Sequence, residues 1–283
     1  HCLKYGGTLN HVRAATVILP SGEIIELGDR DGGMAGYDLL GAFVGSEGCF
    51  GVALDITVRL TQKPQAVRTA LADFTDVADA ARATSAIIAS GVLPAALEFM
   101  DSGVIRVVEE SIFAAGYPAD AAAVLLIELD GTVASTDADM EQVRALCTGC
   151  GARTVRVATN EAERARLWQG RKKAFGAMGR LAPNLAVQDA VIPRTQLTDV
   201  LTRINAIADS YGVKVCNVFH AGDGNLHPNI SYDASDADQA RRVDEAMAAM
   251  MHVCVSAGGS ITGEHGVGLD KLRYMPLLFD EPT

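Results

Sequence analysis

The chain has 283 residues, 49% of them hydrophobic, and a formal net charge of -11 at pH 7. That length points to about two domains, the acidic balance argues against nucleic acid as a partner, and no apolar run reaches the ~20 residues that a membrane-spanning helix needs. Six cysteines (Cys2, Cys49, Cys147, Cys150, Cys216, Cys254) are scattered in a chain too large to need disulfide staples, which points to a reducing, cytoplasmic setting.

The first sixty residues are glycine-rich and strand-like. Residues 15–19 and 23–27 flank Pro20-Ser21-Gly22 and read as a β-hairpin. Next comes Gly45-Ser46-Glu47-Gly48-Cys49-Phe50-Gly51, three glycines at spacing 3 ahead of a strand over 52–60. Glycine lets backbone approach a ligand closely or adopt positive φ, so the loop is a candidate cofactor contact, the alternative being a plain tight turn. It lacks the strand–turn–helix setting of a dinucleotide fingerprint.

Composition shifts near Lys63-Pro64, where a domain boundary is expected, and strands then alternate with helices. Strands are predicted over 67–74, 124–129 (apolar throughout, the buried type) and 154–158, and helices over 77–90, 137–147 and 161–178. Leu197, Val200, Leu201, Ile204, Ile207 and Ala208 make a helical stripe stopped at Gly212. Strands over 213–219 and 226–232 follow, then a second stripe through Val243, Met247, Met250, Met251 and Cys254 that Gly258-Gly259 closes. The pattern predicts an α+β fold with helices packed on one face of a sheet. Cys147-Thr148-Gly149-Cys150 is a lone CxxC at a helix end, and no second CxxC completes a zinc site with it.

The chemistry concentrates in two glycine-rich stretches, His220-Ala221-Gly222-Asp223-Gly224-Asn225-Leu226-His227 and Gly263-Glu264-His265-Gly266. With 6 histidines in the whole chain, three in these loops beside a carboxylate suggest a zinc or other first-row metal site, with His220, His227 and Glu264 as ligands. If 213–219 and 226–232 form a hairpin, the two histidines sit at facing strand ends, where Cβ atoms are about 4.5–5.5 Å apart. Against this stands ordinary turn chemistry, for which Gly-Asp-Gly-Asn is well suited. His265, next to the carboxylate, is placed to take a proton near neutral pH. Arg171-Lys172-Lys173 is the densest basic cluster; Arg171 is its best candidate for gripping a substrate carboxylate, and a solvated helix face is the alternative. Such a site suits either hydrolysis by a metal-bound water or activation of an alcohol whose carbon then loses hydride.

Four segments carry a resemblance: Val44-Gly45-Ser46-Glu47-Gly48, Leu167-Trp168-Gln169-Gly170-Arg171-Lys172, His220 through Pro228, and Gly258 through Gly268. Together, and in this order, the chain resembles the FAD-linked D-2-hydroxy-acid oxidases and dehydrogenases of the vanillyl-alcohol-oxidase superfamily, nearest its glycolate-oxidase large-subunit branch with the D-lactate dehydrogenases beside it. The resemblance implies that residues 1–64 are the tail of a PCMH-type FAD-binding domain and 65–283 a ferredoxin-like FAD-linked oxidase C-terminal domain carrying the substrate site. It implies FAD contacts at Tyr5, Gly6, Gly45, Glu47, Gly48, Gly51 and Val52, and a divalent metal, zinc or manganese, on His220, His227 and Glu264. His265 is then the base and Arg171 the carboxylate anchor for a small D-2-hydroxy acid, glycolate or D-lactate.

Phe175 and Val187 stand where some relatives have a threonine and a lysine, which favours a monocarboxylic substrate. Electron-transfer partner subunits, and membrane association through them, follow from the same likeness. The N-terminal pyrophosphate loop and the C-terminal Asn-Pro-Gly segment of the family are absent. The chain starts at His1 without a signal-peptide pattern and stops at Asp280-Glu281-Pro282-Thr283, so both ends are expected to be cut. The rival expectations are a metal-dependent hydrolase, although no helical His-Glu-x-x-His is present, and a non-catalytic fragment that binds FAD poorly.

Overall fold

Alternating apolar residues in the N-terminal segment build a small antiparallel sheet. In the computed structural model, which describes residues 2–31 and 36–280, the chain separates into units 1–63 and 64–283. His1 and Glu281-Pro282-Thr283, which the reading of cut ends includes, lie outside the described residues. In the first unit, β1 (Val12–Ile18) and β2 (Ile24–Gly28) form a hairpin, α1 (Leu39–Phe43) follows, and β3 (Val52–Val58) pairs with the free edge of β1. Its core is small: Ala15, Val17, Leu27 and Leu40.

The second unit begins with β4 (Ala66–Phe74), α2 (Val77–Ala89), β5 (Ala96–Asp101), α3 (Ser102–Glu109), β6 (Ala123–Gly131), α4 (Val133–Gly149) and β7 (Ala152–Val157). Their strand order, β7-β4-β6-β5 with every pairing antiparallel, is the split βαβ arrangement of ferredoxin-like folds. Next come α5 (Glu161–Met178), β8 (Asn184–Val187), β9 (Ala190–Val191), α6 (Leu197–Ser210), β10 (Val215–His220), β11 (Asn225–Leu226), β12 (Pro228–Tyr232) and α7 (Ala237–Ser256). β10 pairs with the outer edge of β5 and so extends the sheet into β11 and β9, while β12 bridges β10 and β8.

Six helices start where a side chain accepts from a first-turn amide: Asp38 for α1, Asp76 for α2, Asp101 for α3, Thr132 for α4, Asn160 for α5 and Asp236 for α7. Asn160 and Glu163 form a reciprocal cap, with Glu163 reaching back to the Thr159 amide.

Helices cover both faces of the sheet, not one. α2, α4, α6 and α7 pack on the face that carries Phe99, Leu125, Ile127 and Phe219. α3 and α5 pack on the other, over Leu71, Met100, Leu126 and Val218. The cause is visible in β6: Ala123 to Ile127 are all fully buried, so neither face can be left to water and each needs a layer. α1, α3, β5, β8 and β9 were not expected from the sequence. β5, Ala-Leu-Glu-Phe-Met-Asp, carries two carboxylates in six residues, which hides it from an apolar-run criterion.

Phe99 and Phe219 stack across β5 and β10 with ring centroids 4.6 Å apart, both fully buried. Replacing Phe219 by Ala removes that contact and leaves a void, and should lower stability by about 3–5 kcal/mol in urea unfolding.

Candidate metal and anion site

β10 runs out at His220, and its register with β5 sets Glu98 directly across from it. His220 Nδ1 donates to Glu98 Oε1 at 2.7 Å, so Nδ1 holds the ring proton and Nε2 presents its lone pair. A short turn over 221–223 ends at Gly224, whose φ of +71° is left-handed. A side chain there would also strike the Ile192 carbonyl. Asn225 then pairs back with His220. His220 and His227 therefore do not face each other across the ribbon as expected. His227 falls two residues further on, diagonal to His220, and separates β11 from β12; the two rings stand 5.5 Å apart and nearly perpendicular. Diagonal neighbours on one strand face remain within reach of long side chains.

The two imidazoles converge on one carboxylate oxygen. Glu264 Oε1 lies 3.3 Å from His220 Nε2 and 3.2 Å from His227 Nε2. His227 is buried, and its Nδ1 donates to the Gln188 carbonyl at 3.2 Å. Burial lowers its pKa and outweighs the opposing pull of Asp189, which keeps the ring in the neutral form that ligates.

One ligand atom from each of His220, His227 and Glu264 lies within 4.8 Å of the others. Asp189, His227 and His265 bring ligand atoms equally close together, but Asp189 is already saturated. Its Oδ2 accepts from Thr262 Oγ1 at 2.8 Å, from the amides of Gly263 (2.9 Å), Glu264 (3.1 Å) and His265 (2.9 Å), and from Lys271 Nζ at 3.0 Å. Burial alone would raise this carboxyl, yet those donors hold it well below the usual carboxylate range. Asp189 is thus the hub around which residues 262–265 fold, and the first set is the one with donors to spare. Two histidines and a carboxylate fit a first-row divalent cation, which holds such ligands at ~2.0–2.2 Å and leaves positions open for substrate.

His265 stacks on His227 at 5.0 Å with its ring half-exposed, and its Nε2 lies 3.8 Å from Glu264 Oε1. Arg171 points inward from α5 while Lys172 and Lys173 face solvent, Lys172 over the Trp168 ring at 5.7 Å. Arg171 is 7% exposed and gives Nε to Glu98 Oε2 at 2.5 Å. Among the described residues, its terminal nitrogens have no hydrogen-bond partner. A buried guanidinium whose terminal N–H groups are unused has the chemistry to grip an oxyanion. Phe175 packs with the apolar residues under α5, and Val187 pairs with Asn229.

In the first unit, Gly45, Glu47, Gly48, Gly51 and Val52 line a cavity of about 420 Å³. Tyr5 and Gly6 lie outside that lining. Glu47 is the single non-glycine with positive φ (54°) among the described residues, a strained conformation that clusters at ligand-binding loops. A glycine-rich wall beside Val12, Ala15 and Phe43 suits a planar cofactor lying against backbone. The CxxC has no such setting: burial pushes the Cys147 thiol up to about 12, which makes it inert.

Sequence reasoning missed Glu98 and Asp189, both fully buried. The signal was a carboxylate inside an apolar run, in Ala96-Leu97-Glu98-Phe99-Met100 and in Asp189-Ala190-Val191.

The antiparallel α+β domain thus brings His220, His227 and Glu264 together, with Glu98 joining His220 to the buried Arg171. Residues 63–283 match the family described as FAD linked oxidases, C-terminal domain, and the chain belongs to that family. It is 44% identical over 280 residues to glycolate oxidase subunit GlcD of Escherichia coli (strain K12), covering 99% of this chain and 56% of that protein. It is 32% identical over 276 residues to the mitochondrial D-lactate dehydrogenase [cytochrome] of Arabidopsis thaliana, covering 96% of this chain and 48% of that protein. The chain therefore spans about half the length of these relatives. The solved structure of p-cresol methylhydroxylase with substrate bound shares the fold, with a TM-score of 0.71 at 14% identity over 91% of this chain and 59% of that one.

Two outcomes are expected. Asp189→Asn should cost roughly 2–3 kcal/mol at pH 7. Because the folded carboxyl titrates below its unfolded value of ~3.9, its stabilisation is present above that pH and fades as pH falls below about 4. Urea unfolding at a series of pH values should show the two proteins converging in acid. Gly263→Ala would drive a methyl group into the buried Asn225 amide; it should displace the 262–265 loop and weaken Zn²⁺ binding by at least ~10-fold in a chelator competition.

Proposed function

We propose that the protein is an FAD-dependent oxidoreductase that oxidises a small D-2-hydroxy acid, glycolate or D-lactate, to the 2-oxo acid with help from a divalent cation. The observation that carries this reading is the shared oxygen of Glu264 facing two histidine Nε2 atoms, with the idle fork of Arg171 one carboxylate away. Membership of the FAD linked oxidases and the names of the relatives support the substrate class. Residues 1–64 act as the tail of an FAD-binding domain and 65–283 as the substrate-bearing cap.

His220, His227 and Glu264 hold the cation, zinc or manganese. FAD, when bound against the Gly45–Val52 loop, supplies the hydride acceptor, and the cation supplies Lewis acidity at the substrate hydroxyl. Arg171 grips the substrate carboxylate through its terminal nitrogens and fixes which face of the α-carbon is presented. His265 takes the hydroxyl proton on Nε2, the α-hydrogen leaves with its electron pair, and the C–O bond becomes C=O. Phe175 and Val187 stand where some members of the resembled family carry a threonine and a lysine, which supports a substrate without a second charge. Partner subunits that carry electrons onward follow from the word "subunit" in the glycolate oxidase relative's name. Among the described residues no helix is long and apolar enough to cross a membrane; a cytoplasmic location, with membrane association through such partners, is part of the proposal.

The test is dye-coupled oxidation of glycolate, D-lactate and D-2-hydroxyglutarate by the FAD- and Zn²⁺- or Mn²⁺-loaded protein, in the length its gene encodes. The first two should turn over well and the dicarboxylate poorly. His265→Ala should lower kcat by ~10²–10⁴-fold with the flavin band intact; full turnover in that variant rejects the base assignment. Absence of any flavin band rejects the oxidoreductase reading in favour of a hydrolase.

A further inference from the structure

The geometry points to Glu98 as a positioning residue: its single carboxylate sets both the cation-facing nitrogen of His220 and the guanidinium of Arg171, so that cation and substrate carboxylate are held at one fixed spacing. The inference rests on the proposed reading of the site and adds to it what determines the spacing.

Glu98 lies on β5 between β6 and β10, with no solvent exposure. A carboxylate in that position is costly unless donors meet it, and two do. Oε1 accepts from His220 Nδ1 at 2.7 Å and Oε2 from Arg171 Nε at 2.5 Å. The first bond keeps the proton on Nδ1 and turns Nε2 toward Glu264 and His227. The second neutralises the carboxylate and fixes the guanidinium plane through Nε, which leaves the terminal fork for an anion. Strand pairing on both sides of β5 prevents Glu98 from shifting, so the distance from cation to fork is a property of the sheet.

Glu98→Gln makes the test specific. The amide has the same shape but one acceptor oxygen, so it can serve His220 or Arg171, and its NH₂ then confronts the other donor. Zn²⁺ alone is the probe, titrated against a chelator dye with the chain as it stands, beside a thermal melt of each protein. Glu98→Gln should weaken Zn²⁺ binding by ~10–100-fold. Adding Arg171→Met removes the competing donor, and the double variant should regain most of the loss, because the amide oxygen is then free for Nδ1–H. A role confined to stability predicts no such rescue.

The inference is overturned if Glu98→Gln binds Zn²⁺ as tightly as the unaltered chain, or if the second substitution only deepens the loss. Should the unaltered chain bind no Zn²⁺ at all, the cation reading itself falls, and this inference with it. Should the single variant not fold, the ¹⁵N shifts of His220 in the unaltered chain decide: protonation at Nδ1 supports the assignment, and protonation at Nε2 overturns it.

Discussion

A carboxylate cut off from water must be met by donors, or folding carries a penalty that no local packing recovers. This protein has two such groups at its site, and everything else there is arranged around them. Glu98 is met by an imidazole and a guanidinium from two different elements, β10 and α5. Asp189 is met by a hydroxyl, three backbone amides and an ammonium, all from residues 262–271. Satisfying the first brings Arg171 to His220, and satisfying the second folds a loop with Glu264 and His265 at its tip. The position of the candidate ligands is thus a by-product of hydrogen-bond accounting.

The larger fold matters because it makes those donors immobile. β5 has partners along both edges and helices over both faces, so Glu98 is fixed by backbone pairing before any side chain is considered. The ferredoxin-like order of the first four strands leaves one edge of β5 open, and β10 takes it. His220 is the last residue of that added strand. The site therefore sits where regular pairing ends, a place where a side chain can be positioned by a ladder and still face outward.

Much of this was legible in the sequence, for identifiable reasons. The helix expected over 161–178 is α5 over its full span, and the structure shows Asn160 capping its start. The apolar run of β6 announced burial on both faces, although the expectation of one helical layer ignored that implication. His220, His227 and Glu264 stood out because few other residue types cluster in glycine-rich turns without purpose. The register between the two histidines was not legible, since it depends on how many residues the 221–224 turn absorbs, and Asn225 takes the place assigned to His227. β5 escaped notice because Glu98 and Asp101 interrupt its apolar pattern. That interruption was the most informative feature missed: a charge within a buried strand has to be explained by a partner, and here the partners are the candidate site.

The saturation of Asp189 also bears on the choice between two donor sets. Two donor sets share His227, and a cation could in principle choose either. If Asp189 were a ligand, His265 would be one too, and it would not be free to move a proton. With both oxygens of Asp189 engaged by the amides and Lys271, withdrawing it toward a cation would release the loop that carries Glu264. In the proposed reading a cation is therefore held by His220, His227 and Glu264, with His265 stacked and half-exposed beside them. In the proposed reaction that is the position a base must occupy: close enough to reach a polarised hydroxyl, and free of the metal whose charge would otherwise suppress its basicity.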